Sequence, residues 1–126
     1  MKKASEHNIQ SSILDYLARR GVFHFRNNSG ALPMQRNGQQ YFVRFGAKGS
    51  PDIICVIAGR FVGLEVKDEK GKQSEDQKEF QRSLESAGGI YFLVRSIDEA
   101  MEAVEDCISR LRIADLPVYR NRKDVS

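Results

Sequence analysis

The spacing of apolar and polar positions changes several times along the chain, and each change marks an element. Ile9, Ile13, Leu14 and Leu17 recur at the i, i+4, i+5, i+8 spacing of a helix with one apolar face. That spacing predicts a helix over 5–20, ended by Gly21 with Arg19 and Arg20 in its last turn. Val22-Phe23-His24-Phe25-Arg26 reads as a short strand. The segment 27–40 is rich in Asn, Gly, Ser and Gln and reads as a loop. Tyr41–Phe45 reads as a strand, and 46–51 as a second flexible loop. Segments 52–58 and 61–67 are strands that form a hairpin across a short turn of Ala58, Gly59 and Arg60.

The second half alternates between helix and strand. Ser74-Glu75-Asp76-Gln77 has the form of a capping box, with Ser at the N-cap and Gln three residues on. It opens a helix to about Ala87, stopped by Gly88-Gly89. Ile90-Tyr91-Phe92-Leu93-Val94 is almost wholly apolar, which predicts a strand buried on both faces. Ser96-Ile97-Asp98-Glu99 opens a last helix to about Leu111, with Ile97, Met101, Val104, Ile108 and Leu111 as its apolar stripe. The order αββββαβα predicts an α/β fold, a mixed central sheet flanked by helices, with the 74–87 helix as a crossover.

A chain of 126 residues is the size of one domain, spanning 1–126, and 115–126 reads as a flexible or partner-bound tail with a basic patch at Arg120, Arg122 and Lys123. Hydrophobic residues make up 40%, enough for a core, but no apolar run approaches the ~20 residues of a membrane span. The amino-terminal residues lack the apolar segment of a secretory signal. Cys55 and Cys107 read as reduced, buried thiols of an intracellular protein, and no Cys/His cluster has zinc spacing. The net charge of +3 is small, but its distribution is uneven. Between Asp15 and Asp52 there is no acidic residue, while Arg26, Arg36, Arg44 and Lys48 fall in that stretch. Such a stretch suits a polyanion, and a solvated surface loop is the plainer reading.

The 52–67 hairpin carries the densest chemistry. Side chains on a strand alternate between faces, so Glu65 and Lys67 share one face. With Gly59 and Arg60 as the turn residues, Asp52 lies opposite Lys67 and Ile54 opposite Glu65. Opposite residues on an antiparallel pair project to the same face, about 4.5–5.5 Å apart at Cβ. Asp52, Glu65 and Lys67 then converge, and a slip of one residue would separate them. Mg²⁺ is commonly held by one or two carboxylates together with water and a substrate phosphate.

Gly49-Ser50-Pro51-Asp52-Ile53-Ile54, then Glu65-Val66-Lys67, then Ser74-x-x-Gln77 resembles the PD-(D/E)XK nucleases, and within them the VRR-NUC family, in its small stand-alone phage and bacterial form. The resemblance covers about 6–95. It implies a restriction-endonuclease-like core and phosphodiester hydrolysis with Mg²⁺ or Mn²⁺. It implies Asp52 and Glu65 as metal ligands, with the backbone carbonyl of Val66 as a third oxygen. Lys67 would orient or deprotonate the attacking water, Gln77 would close the site from its helix, and Glu6 would stand near the metal. Arg26, Arg36, Arg44, Lys48 and Ser50 are candidate DNA contacts.

Each residue has a plainer role. Asp52 can be a turn residue after proline, and Glu65 with Lys67 an exposed cross-strand ion pair. Gln77 can be a helix cap and Glu6 a first-turn acid favoured by the helix dipole. Ser50 can be part of a tight turn. The favoured expectation is a metal-dependent DNA endonuclease acting on branched DNA such as four-way junctions, as a homodimer with no membrane partner. The alternatives are a flap- or single-strand-directed nuclease, a non-selective one, or a DNA-binding module whose site has decayed.

Overall fold

The computed structural model describes residues 5–111, so the tail at 115–126 lies outside the described residues. The chain runs α1 (Glu6–Arg20), β1 (Phe23–Arg26), β2 (Gly30–Arg36), β3 (Gln39–Phe45), β4 (Ile53–Ile57), β5 (Arg60–Val66), α2 (Glu75–Ser86), β6 (Ile90–Val94) and α3 (Ile97–Leu111). Strands β1, β4, β5 and β6 form a mixed sheet in that spatial order. β4 pairs antiparallel with β1 and with β5, and β6 joins β5 in parallel through the α2 crossover. The expected mixed sheet with flanking helices is therefore present.

Local chemistry explains the helix ends. The Ser5 side chain accepts from the Asn8 N–H at the start of α1, and Gly21, at φ 77°, closes its end. Ser74 and Gln77 make both halves of the capping box on α2.

The core lies on one face of the sheet, under α1 and α3. Ile9, Ile13 and Leu17 of α1 meet Ile53, Cys55 and Ile57 of β4, Val62, Leu64 and Val66 of β5, and Val104 of α3. On α3 the buried residues are Ala100, Val104 and Cys107, whereas Met101 is exposed. The expected stripe is thus rotated toward smaller side chains that let the helix approach the sheet. Both cysteines are free and buried. β6 is half-buried along much of its length because it is the outer strand of this sheet, with a neighbour on one side.

The segment read as a loop at 27–40 contains a strand, giving five strands before α2. β2 and β3 make a separate two-stranded hairpin around Asn37-Gly38, both with positive φ (52° and 78°). Asn-Gly is the preferred pair for a type I′ hairpin turn, and the polar composition around it hid that signal. The hairpin has no core of its own. Leu32, Met34, Tyr41, Phe42, Val43 and Phe45 are all exposed.

The β4–β5 turn also differs from expectation. Ala58 and Gly59 carry the positive φ values, and Ile57 pairs with Arg60. The register is moved by two residues, because the two turn positions are Ala58, held at φ 50°, and Gly59, with Arg60 already paired in the strand. A move of two preserves the faces. It places Asp52, just before β4, across from Glu65 rather than Lys67.

Candidate active site

Val62, Leu64 and Val66 are buried in the core, so strand alternation puts Glu65 on the other face of β5. This is the face at which the first turn of α2 arrives. The Gly49–Asp52 run delivers Asp52 there, and each residue has a physical reason. Gly49, at φ 77°, lies so close to the Asp76 carbonyl at the start of α2 that a Cβ would collide with it. The Ser50 hydroxyl donates to the Ala47 carbonyl (2.6 Å) and accepts from the Asn27 amide (2.7 Å). Pro51 is fully buried over Gly63 of β5, where a Cβ would stand 2.6 Å from the proline Cγ. The Asp52 carbonyl then accepts from the Asn27 N–H at 2.8 Å, extending the β1–β4 ladder by one step.

The Asp52 carboxylate accepts a hydrogen bond from the Val66 N–H at 2.8 Å. Glu65 is 2% exposed and takes a hydrogen bond from the Gln77 amide to Oε2 at 3.0 Å. Lys67 Nζ lies 3.8 Å from the same oxygen, with its side chain 15% exposed. The reading of Glu65 and Lys67 as an exposed ion pair therefore fails on burial. The capping role of Gln77 and its contact with the carboxylate coexist, one through its Oε1 and the other through its Nε2.

Burial and the neighbouring Asp52 charge push the Glu65 carboxyl up to about 9, and the pull of Lys67 does not offset them. Burial likewise pushes the Tyr91 hydroxyl up to about 12, with the charges of Glu65 and Asp52 adding to it. Its oxygen accepts from Gln73 at 3.1 Å.

Glu65 Oε1 is buried and has no hydrogen-bond partner. An orphaned carboxylate oxygen is costly unless something electropositive reaches it. Together with Asp52 it forms an oxygen donor pair, which suits a hard divalent cation such as Mg²⁺ or Mn²⁺. Among the described residues no group of three His, Cys, Asp or Glu side chains has a metal-holding arrangement. Two carboxylates are enough for Mg²⁺ when water and a substrate phosphate complete the shell, so the residues fit the ion.

Glu6 lies at the border of this site. Its carboxylate accepts from the Asp68 N–H at 3.3 Å and adds a minor repulsion to Glu65. It supports the loop after β5 and does not join the carboxylates as a third member.

No family model and no curated protein matches the chain. Among solved structures, a "VRR_NUC domain protein" is similar to it, with a TM-score of 0.60 over 94% of this chain and 100% of its own, at 18% sequence identity. The chain has the VRR_NUC fold. The likeness concerns architecture, a mixed sheet with flanking helices along almost the whole chain.

On this VRR_NUC fold the basic candidates spread widely. Arg26 ends β1 and faces a groove that also reaches Asp52. Arg44 lies on the β2–β3 hairpin across from Ala31, and Arg36 stands beside that hairpin's turn, away from the carboxylates. Lys48 is paired with Asp76 at 3.5 Å. Ser50 is a correction: it is 7% exposed and its hydroxyl is committed to Ala47 and Asn27, so it is not open to a phosphate. Sequence reasoning missed Asn27, whose amide bonds both Ser50 and the Pro51 carbonyl and so aims Asp52. It also missed Arg95, whose guanidinium ties the Asp68 (2.6 Å) and Gly71 (2.7 Å) carbonyls and shapes the loop below Lys67. Neither residue carries a motif, because each acts through backbone groups far away in sequence.

Proposed function

We propose that this chain is a divalent-metal-dependent DNA endonuclease, acting on branched DNA such as four-way junctions as a homodimer. The observation that carries the proposal is the unpartnered, buried Oε1 of Glu65 beside the Asp52 carboxylate. Asp52 and Glu65 would hold Mg²⁺ or Mn²⁺, with the Val66 carbonyl as a further oxygen donor. When bound, the cation supplies Lewis-acid polarisation of the phosphodiester and a lowered pKa for water. Val66 N–H fixes the direction of Asp52, and the Gln77 amide fixes Glu65. Lys67 places a cation on a half-dry site, where it counters the charge that builds on a phosphate under attack.

The nuclease reading is supported by the VRR_NUC fold and by the quoted motif. The branched substrate rests on the resemblance of the motif to small stand-alone nucleases. Support for the homodimer comes from the β2–β3 hairpin. By its register, Leu32, Met34, Tyr41 and Val43 share one face, and all are exposed. An isolated two-stranded hairpin is marginal in water, and apolar patches of this kind mark contact surfaces. A second copy related by a two-fold axis would cover these four residues, leaving Phe45 open at the end of the same face away from the turn, and give two sites for two strands.

The test is incubation with labelled four-way junction, flap, duplex and single strand in Mg²⁺, Mn²⁺ and EDTA, with the cuts mapped. Metal-dependent incision at the branch is expected. Intact DNA under every condition overturns the nuclease reading, and binding without cutting would mark a decayed module.

A further inference from the structure

A groove of about 550 Å³ opens next to the carboxylates, lined by Gln10, Arg26, Asn28 and Phe45, with Asp52 on its wall. That volume is within the roughly 300–1,000 Å³ of small-ligand sites and holds one nucleotide rather than a stacked duplex. Its walls are preformed. Gly46, at φ 69°, crosses so near the Asn28 carbonyl that a Cβ there would collide, and Ser29 stands 3.0 Å from the same point. Phe45 pairs with Gly30 across the hairpin, and its ring lies over the position a glycine leaves open. The ring is 40% exposed although it belongs to no core. Arg26 has no ion-pair partner among the described residues and reaches the same groove.

We propose that this groove is a subsite for a single unpaired nucleotide flanking the phosphate that is cut. The inference rests on the nuclease reading and specifies what the enzyme recognises. An unstacked base needs an aromatic platform, hydrogen-bonding groups for its edge and a cation for its phosphate. Phe45 supplies the first, Gln10 and Asn28 the second and Arg26 the third. Asp52 connects the subsite to the site of hydrolysis, so a base seated there holds its own phosphate beside the carboxylates. Substrates with an unpaired or easily unstacked nucleotide at the branch would be favoured, because the cost of unstacking is then already met.

The experiment is an abasic scan. A labelled branched duplex carries one abasic residue, moved in turn through the nucleotides around the branch, and its affinity is measured by fluorescence anisotropy in EDTA. The parent is expected to lose about five-fold or more at one position and little elsewhere. Phe45→Ala is expected to bind the intact and that abasic DNA equally, and Phe45→Tyr to restore the difference. Equal affinity of the parent for every abasic position overturns the proposal, as does a position dependence that survives Phe45→Ala. The same preparations are then supplied with Mn²⁺. Cleavage without any position dependence sinks the subsite alone. Position dependence without cleavage sinks the nuclease reading and leaves the subsite standing. Failure to bind the branched DNA at all overturns the subsite too.

Discussion

The carboxylate of Asp52 is held by the main-chain N–H of Val66, at 2.8 Å, across the end of the β4–β5 ladder. β4 begins one residue later, so the side chain stands in for the strand oxygen that would otherwise accept this N–H. Position 52 therefore needs an acceptor for structure and, on the proposed nuclease function, a charge for chemistry. Asp52→Asn keeps an acceptor and removes the charge. Its melting temperature should stay within a few degrees of the parent, while Mn²⁺-dependent cleavage falls on the order of 100-fold. Thermal melts and a cleavage time course on one substrate check both halves.

Gln77 and Ser74 separate helix capping from site support. Ser74→Ala removes one half of the capping box and should cost about 1 kcal/mol of stability, with cleavage changed by less than three-fold. Gln77→Ala removes the other half and also frees Glu65 Oε2. It should cost a similar amount of stability and lower cleavage about ten-fold, because a loosened carboxylate no longer keeps its place. Equal cleavage by the two variants would limit Gln77 to its helix.

Glu65 gives the metal-free protein a pH dependence of definite sign. Its carboxyl titrates near 9 when folded, above the ordinary 4.5. Below about pH 4.5 both folded and unfolded chains are protonated there, and Glu65 carries no penalty. As pH rises toward 9, the unfolded chain ionises first and stability is lost. Measured in EDTA, the parent should lose melting temperature between pH 5 and pH 9 relative to Glu65→Gln, which has no charge to bury. A constant gap between the two proteins over that range would contradict the burial argument.

The β2–β3 hairpin makes its own prediction. Leu32→Lys combined with Val43→Lys puts two cations on the apolar face, across from each other in the register. Sedimentation should show a dimeric parent and a monomeric variant, and only the parent's melting temperature should rise with protein concentration, since neither residue belongs to the core. A parent that sediments as a monomer at all concentrations would leave that face to another partner.

Much of this was legible in the sequence, for physical reasons that differ by element. The burial of Ile9, Ile13 and Leu17 follows from their period, and the start of α2 from Ser74 and Gln77, because both depend on neighbours within a turn or two. The shared face of Asp52 and Glu65 was legible too, since parity survives the two-residue move of the turn to Ala58-Gly59. The β2 strand was not, because the Asn, Gly, Ser and Gln content of 27–40 reads as a loop and hides the Asn37-Gly38 turn. The roles of Asn27 and Arg95 were not legible either. Each bonds backbone 24 or more residues away, and no local pattern encodes such a contact.

At position 77 the helix and the site ask for different things. A capping box accepts glutamate as readily as glutamine, and an anion in the first turn even gains slightly from the helix dipole. Glutamate there would set a carboxylate oxygen, in place of an N–H donor, against Glu65 Oε2. The helix is indifferent between the two residues and the carboxylate pocket is not. One nitrogen atom thus distinguishes a segment that merely begins a helix from one that begins a helix beside a buried acid.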